Sequence, residues 1–153
     1  MNSKKFKELF MSLAIEEAKK AYQKDEVPVG AIIIQDGAII GKGHNQVLEK
    51  NSVISHAEIN AINEASKTIK NHRLIDCDLY VTLEPCHMCA KAIVDARIKS
   101  LYFGAKEPKT GSVESIDQFL NMDHLNHKVD FSGGYMEKES SKLLKDFFQS
   151  KRV

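Results

Sequence analysis

Two short segments hold the residues whose types and spacing could do chemistry: His56-Ala57-Glu58 and Pro85-Cys86-His87-Met88-Cys89. Cys86 and Cys89 stand three apart, so one helical turn stacks both sulfurs on one face, where they can grip a single ion. Both segments fall at predicted helix starts, whose partial positive charge favours thiolate, the form that binds metal. His56 would complete a set of three protein ligands. Zinc suits such a set because it accepts nitrogen and sulfur in a tetrahedron. Three ligands leave a fourth position for water, whose pKa on such an ion falls to about 7. Glu58, two residues past the histidine, is near enough to move protons without being a ligand. The pattern points to metal-assisted hydrolysis.

Each of these residues also has a plainer reading. The Cys-x-x-Cys spacing serves redox pairs and structural zinc sites as well. A structural site would want a fourth protein ligand, and the adjacent candidate is His87. Projecting between two ligands on the outer side of the turn, His87 is expected at the pocket mouth or in solvent. Cys77 has no partner at ligand spacing and is expected to be a small core residue. His44, His72, His124 and His127 are scattered and read as surface or satisfied histidines. Phe147 and Phe148 read by spacing as core packing, and Glu84 beside Pro85 as the holder of a turn.

The elements that must position these residues are legible as periodicities. Apolar residues Phe6, Leu9, Phe10, Leu13, Ala14, Ala18 and Ala21 recur at helical spacing and predict a helix from Lys4 to about Gln23. Pro28 ends any continuation. The β-branched run Val29 to Ile34, then Asp36-Gly37, then Ala38 to Ile40, predicts a hairpin with Asp-Gly in its turn. A helix follows over His56 to Ile69, and a short buried strand over Leu79 to Leu83. Pro85 sits where a first helical turn tolerates it, with Ala90, Ile93, Val94 and Ile98 continuing that helix. Leu101 to Phe103 predicts a strand closed by Gly104. A short helix is expected from Glu114 to Leu120, a last strand from Val129 to Phe131 with Gly133-Gly134 as its exit, and a final amphipathic helix from Tyr135 to Gln149. This order belongs to an α/β fold, a three-layer α/β/α sandwich around a mixed five-stranded sheet. Ligand sites in such sheets lie at the carboxyl ends of strands.

The chain has 153 residues, 42% of them hydrophobic, enough to bury one core and too few for two comfortable domains. A single domain spanning 1–153 is expected. The 22 basic and 21 acidic side chains nearly cancel, so net charge neither announces nor excludes a nucleic-acid partner. Met1 to Phe10 lacks the apolar run and cleavage site of a secretion signal, and no stretch approaches the roughly 20 apolar residues of a membrane span. A cytoplasmic protein is expected. With 3 cysteines and no export signal, a disulfide framework is a poor explanation for the sulfurs.

Beyond the metal-type signature, several further segments are distinctive. They are Glu26-Val27-Pro28-Val29-Gly30-Ala31, Gly43-His44-Asn45, Arg73-Leu74-Ile75-Asp76, Leu79-Tyr80-Val81-Thr82-Leu83-Glu84-Pro85-Cys86, Gly104-Ala105 with Lys109-Thr110-Gly111, and Leu144-Lys145-Asp146-Phe147-Phe148. Across almost its whole length the sequence resembles the cytidine deaminase superfamily, and within it the bacterial tRNA-specific adenosine deaminases, whose zinc chemistry is well described in general terms. The resemblance implies that His56, Cys86 and Cys89 hold one Zn2+ and that Glu58 is the proton shuttle. It implies that Asn45 hydrogen-bonds a flipped nucleoside, that Pro28 and Val29 wall the base, and that Ala57 and Pro85 belong to the same substrate site. By the same likeness the loop from Lys106 through Glu107 and Lys109 to Thr110 touches flanking nucleotides, and Phe147 sits near the anticodon loop. Many members carry aspartate where this chain has Glu107, which keeps the charge but moves it. The activity implied is conversion of adenosine to inosine at the first anticodon position of an arginine tRNA, by a homodimer.

An anticodon loop presents unpaired bases, so extruding one costs less than opening a duplex. Lys4, Lys5 and Lys7, then Lys67, Lys70 and Arg73, then Lys106 and Lys109, and last Lys142, Lys145, Lys151 and Arg152 could supply phosphate contacts. Each cluster alone reads equally as a solvated helix face. A small-molecule deaminase of the guanine or cytosine type shares the zinc logic and is the alternative. A catalytically silent RNA-binding module with structural zinc is a third reading, against which Glu58 speaks.

Overall fold

The computed structural model of the protein describes residues 3–152. Met1, Asn2 and Val153, the ends of the expected domain, lie outside that range, as do the first two residues of the Met1 to Phe10 segment expected to lack an export signal. Strand β1 (Gly30–Gln35) turns through Asp36 and Gly37, both at positive φ, into β2 (Ala38–His44). Positive φ at both central residues gives the turn a twist that matches the paired strands. Next come α2 (Ala57–Ile69), β3 (Cys77–Leu83), α3 (His87–Asp95), β4 (Ser100–Ala105), β5 (Asp130–Gly133) and α4 (Glu137–Ser150), with α1 (Lys4–Gln23) preceding them all.

The sheet has the strand order β2-β1-β3-β4-β5. β1 is antiparallel to both of its neighbours, while β3, β4 and β5 run parallel. Alternation along the strands distributes side chains to two cores. Ala31 and Ile33, Leu79 and Val81, and Leu101 and Phe103 face α2 and α3, whose Ala57, Ala61, Ala65, Ala90 and Ile93 complete that core. Ile32, Ile34 and Tyr80 face the opposite way, onto Met11 and Ala14 of α1, with Tyr102 and Tyr135 at the margin. The result is the expected three-layer sandwich with a mixed five-stranded sheet. Among the described residues no helix is long and apolar enough to cross a membrane.

Several boundaries differ from the periodicity reading. α1 buries Met11, Ala14, Ile15, Ala18 and Ala21, whereas Phe6 and Leu9 of the expected stripe are exposed. Small residues line the inner face because β1 comes very close: a Cβ on Gly30 would lie 2.0 Å from the Ala14 carbonyl oxygen. β4 continues through Gly104 to Ala105 because its parallel pairing with β3 runs to Leu83. Pro85 precedes the helix rather than entering its first turn, since Cys86 takes the extended N-cap conformation (ψ 176°) and α3 starts at His87. Ile98 lies past the end of α3, buried in the connection to β4.

The expected helix over Glu114 to Leu120 does not form. Residues 112–115 make turns, and only Phe119–Asn121 winds into a 3₁₀ turn. The backbone N–H groups of Val113, Glu114 and Ser115 converge on one buried carboxylate, that of Glu84, and the chain bends around it.

The Gly30 contact generates a prediction. Gly30→Ala forces α1 away from β1 and should cost about 3 kcal/mol or more, the upper end of overpacking penalties, read as a lowered midpoint in urea unfolding.

Candidate active site

One end of the sheet gathers the functional residues. Gly30 pairs with His44, and Leu83 with Ala105, so the segment before β1 and the segments after β2, β3 and β4 all leave from the same edge. Val27 to Val29, Asn45, Glu84 to Cys86 and Lys106 to Gly111 therefore surround one opening. The starts of α2 and α3 meet there.

His56 is the N-cap of α2 and Cys86 the N-cap of α3, and neither side chain is spent on capping. Both sulfurs and the imidazole are thus free to turn towards each other. His56 Nδ1 lies 3.7 Å from Cys86 Sγ and 3.5 Å from Cys89 Sγ. A tetrahedral ion with bonds of about 2.05 Å to nitrogen and about 2.3 Å to sulfur has N···S edges of roughly 3.5 Å. The three donors therefore fit the coordination sphere of one metal ion, and they are the His/Cys group of the described residues that could hold one.

Their protonation suits this role. The Cys89 thiol and the His56 imidazole donate to Cys86 and, against the effect of burial, bring its thiol down to about 4. Cys89 shifts upward, first because it donates to Cys86 and then because it is buried. His56 rises through its hydrogen bond to Cys86. These shifts favour the thiolate on Cys86, which is the ligand form. Glu58, in the first turn of α2, is 4% exposed, and burial pushes its carboxyl up to about 7. Such a group can accept and release a proton near neutrality.

A pocket of about 450 Å³ opens over this group, and His56, Glu58 and Cys86 all lie on its wall. Val27, Val29 and Leu83 supply an apolar side, and Asn45, Thr110 and Phe147 stand around the mouth. Asn45 Oδ1 accepts the Ala57 N–H at 2.8 Å, one of the N–H groups that a helix start leaves free. That bond sets the amide orientation and leaves its NH2 for a ligand. Phe147 is buried, stacks edge-on against Tyr22 at 5.6 Å and reaches the pocket, so core packing and pocket lining coincide in one side chain.

Other expected site residues stand further back. Pro28 and Pro85 are buried and not on the pocket wall; Val27 fills the place expected of Pro28, and the Pro85 carbonyl accepts the Ser112 N–H at 2.9 Å. Ala57 is buried too and takes part through its N–H alone. Lys106, Glu107 and Lys109 flank Thr110 without lining the pocket. Lys106 reaches Glu114 at 3.7 Å, and Glu107 bends back to accept the Lys109 N–H at 3.0 Å. Of the expected basic clusters, Lys151 comes to the pocket wall, paired with Asp25. His87 is exposed and bonds Ser112 Oγ through Nδ1 at 3.1 Å, outside the ligand group. Cys77 is fully buried, as its lack of a partner implied.

Two acids were not singled out for the pocket. Glu26, 2% exposed, accepts the N–H groups of Leu48 and Glu49 at 3.1 and 2.8 Å and so ties down the loop after Asn45. Glu84 does the same for the loop after β4, which bears out and extends its reading as a turn holder. An acidic residue set among Val27, Pro28 and Val29 was the available signal for Glu26.

Known proteins match this arrangement. The model of the MafB19-like deaminase family covers residues 5–152. The tRNA-specific adenosine deaminase of Agrobacterium fabrum is 46% identical over 144 residues, 94% of this chain and 95% of its own length. That of Aquifex aeolicus is 46% identical over 146 residues, 95% and 96% of the two chains. A solved structure from a study of A-to-I editing by tRNA deaminases at the wobble position of transfer RNA matches with a TM-score of 0.86 and 47% identity, covering 88% of this chain and 98% of that one. Guanine deaminase from Nitrosomonas europaea shares the fold, with a TM-score of 0.77 at 22% identity over 92% of this chain and 83% of its own. By likeness along nearly its full length, and not through the metal-type residues alone, the chain belongs to the MafB19-like deaminases, in the branch formed by the tRNA-specific adenosine deaminases.

Proposed function

We propose that this protein hydrolyses adenosine to inosine at the first anticodon position of a tRNA, an arginine tRNA in the first instance, releasing ammonia. The observation that carries the reading is the shared wall: Glu58 faces the same pocket as His56 and Cys86, so a proton carrier and an open side of the ligand set meet one substrate. Zinc fits the donor set, and when bound by His56, Cys86 and Cys89 it supplies the Lewis acidity that brings a water's pKa to about 7. Glu58 takes one proton from the attacking water and delivers it to N1 of the purine, then takes the second from the hydroxyl newly bonded to C6 and delivers it to the departing amine. Water adds at C6 and ammonia leaves, so the reaction balances without a further reactant. Asn45, its oxygen occupied by Ala57, offers its NH2 to the nucleoside, and Val27 and Val29 pack on the base.

One domain spanning 1–153 carries this activity in our reading, acting in the cytoplasm as a homodimer, as the family likeness implies. In this reading Lys106 and Lys109 on the loop after β4, and Phe147 and Lys151 at the end of the chain, meet the nucleotides beside the target base, which the position of Thr110, Phe147 and Lys151 on the pocket wall supports. The decisive experiment incubates purified protein with tRNA bearing adenosine at the first anticodon position, then looks for inosine by nuclease digestion and mass spectrometry. Ammonia released from free guanine, cytosine or nucleosides, with none from tRNA, would establish the small-molecule alternative instead.

Two variants test the roles of single residues. Glu58→Ala should keep its zinc, measured by elemental mass spectrometry, while inosine formation falls by at least about a hundredfold, the scale of general acid–base catalysis. Cys86→Ala should lose both the metal and thermal stability, because ligand binding free energy is folding free energy at such a site. A metal-loaded, active Cys86→Ala protein would remove it from the ligand set.

A further inference from the structure

Five donors converge on the Glu84 carboxylate. Oε2 accepts the backbone N–H groups of Val113, Glu114 and Ser115 at 3.1, 2.8 and 2.9 Å. Oε1 accepts the Glu107 N–H at 3.0 Å and the Ser115 hydroxyl. The side chain is 2% exposed, so the backbone of the loop takes the place of its hydration. The loop has no room to approach differently: a Cβ on Gly111 would lie 2.4 Å from Glu84 Cδ.

The same loop is sewn to the start of α3. Gly111 bridges to Cys86, the Ser112 N–H bonds the Pro85 carbonyl, and Ser112 Oγ meets His87. On its other side the loop presents Thr110 to the pocket and Lys106 and Lys109 to solvent beside it. Glu84 therefore stands between the ligand-bearing helix and the segment that meets flanking nucleotides.

We propose that Glu84 is a positioning residue for substrate recognition: by gathering the backbone of residues 107–115 it holds the pocket wall in the shape that receives the polynucleotide. This rests on the tRNA deaminase reading. Glu84 touches no reacting atom in this scheme. Its effect reaches the substrate through Thr110, Lys106 and Lys109, and loosening the loop removes binding shared by ground and transition states, which raises KM more than it lowers kcat.

Glu84→Gln conserves shape and tests the bonding. Whichever way the amide turns, its NH2 confronts backbone N–H groups, either that of Glu107 or those of Val113, Glu114 and Ser115. The holoenzyme variant is compared with the parent by hydrogen exchange across residues 105–116, by zinc content and by steady-state kinetics on tRNA. Faster exchange in that segment, KM raised about tenfold, kcat changed less than about threefold and zinc retained are expected. Exchange and KM both at parental values would overturn the proposal. So would loss of zinc and of kcat with KM unchanged, which would mark Glu84 as a support of the ligand helix alone. Should Glu84→Gln fail to fold, Ser115→Ala removes one of the five donors and should shift exchange and KM in the same direction, by about threefold. Unchanged values there would count equally against the proposal. Parent protein that forms no inosine on tRNA would overturn the deaminase reading, and exchange would still decide whether Glu84 holds the loop.

Discussion

Three donor atoms from residues separated by 30 and 33 positions must meet within the coordination sphere of one ion, and the 3.5 and 3.7 Å separations around His56 Nδ1 are the constraint on which the rest of the molecule depends. Meeting it requires the starts of α2 and α3 to lie side by side at one sheet edge. The topology supplies that placement. α2 returns from the end of β2 across β1, and α3 is the crossover between the parallel strands β3 and β4, so both helices lie on one face and begin at the same end. N-cap geometry does the rest, because an N-cap residue leaves the helix axis with its side chain free to turn sideways. His56 and Cys86 both occupy that position.

Three acids are buried at this edge, and their surroundings make them different reagents. Glu26 and Glu84 accept backbone N–H groups, so they act as fixed anchors for the two loops that rim the pocket. Burial raises the Glu84 carboxyl, but the Ser115 hydroxyl and the N–H groups of Glu114, Ser115 and Glu107 outweigh it and leave it below the usual range. Glu58 lacks such a cage, burial dominates, and its carboxyl rises to about 7. Glu84 and Glu58 thus differ because five donors surround one carboxylate and burial dominates at the other.

The pocket divides its work along the same lines. Its interior is apolar where a base would lie, through Val27, Val29 and Leu83, and polar where bonds must be broken. Its rim comes from loops and from the end of α4, where Phe147 spans the pocket and the packing against Tyr22. An enzyme whose substrate is a folded polynucleotide needs this separation. The reacting centre must be rigid and dry, while the surface that tracks the chain outside must be exposed and charged.

Much of this was legible in the residues. The ligand types, their spacing, the carboxylate two positions beyond the histidine and the helical and alternating periods are local properties, set by side-chain chemistry and backbone geometry within a few positions. They were enough for the layer architecture, the start and end of α1, the Asp-Gly hairpin and the metal-type site. What only the tertiary structure decided involves partners far apart in the chain. Val27 rather than Pro28 lines the pocket, Glu107 curls onto its own loop, and Glu114 to Leu120 forgoes a helix: Glu84, some thirty residues earlier, gathers the N–H groups of Val113, Glu114 and Ser115, and the Ile116 and Phe119 N–H groups bond the Gly111 and Ser112 carbonyls instead of those four positions back. A buried carboxylate must find donors wherever the fold brings them, and no local period records where that will be.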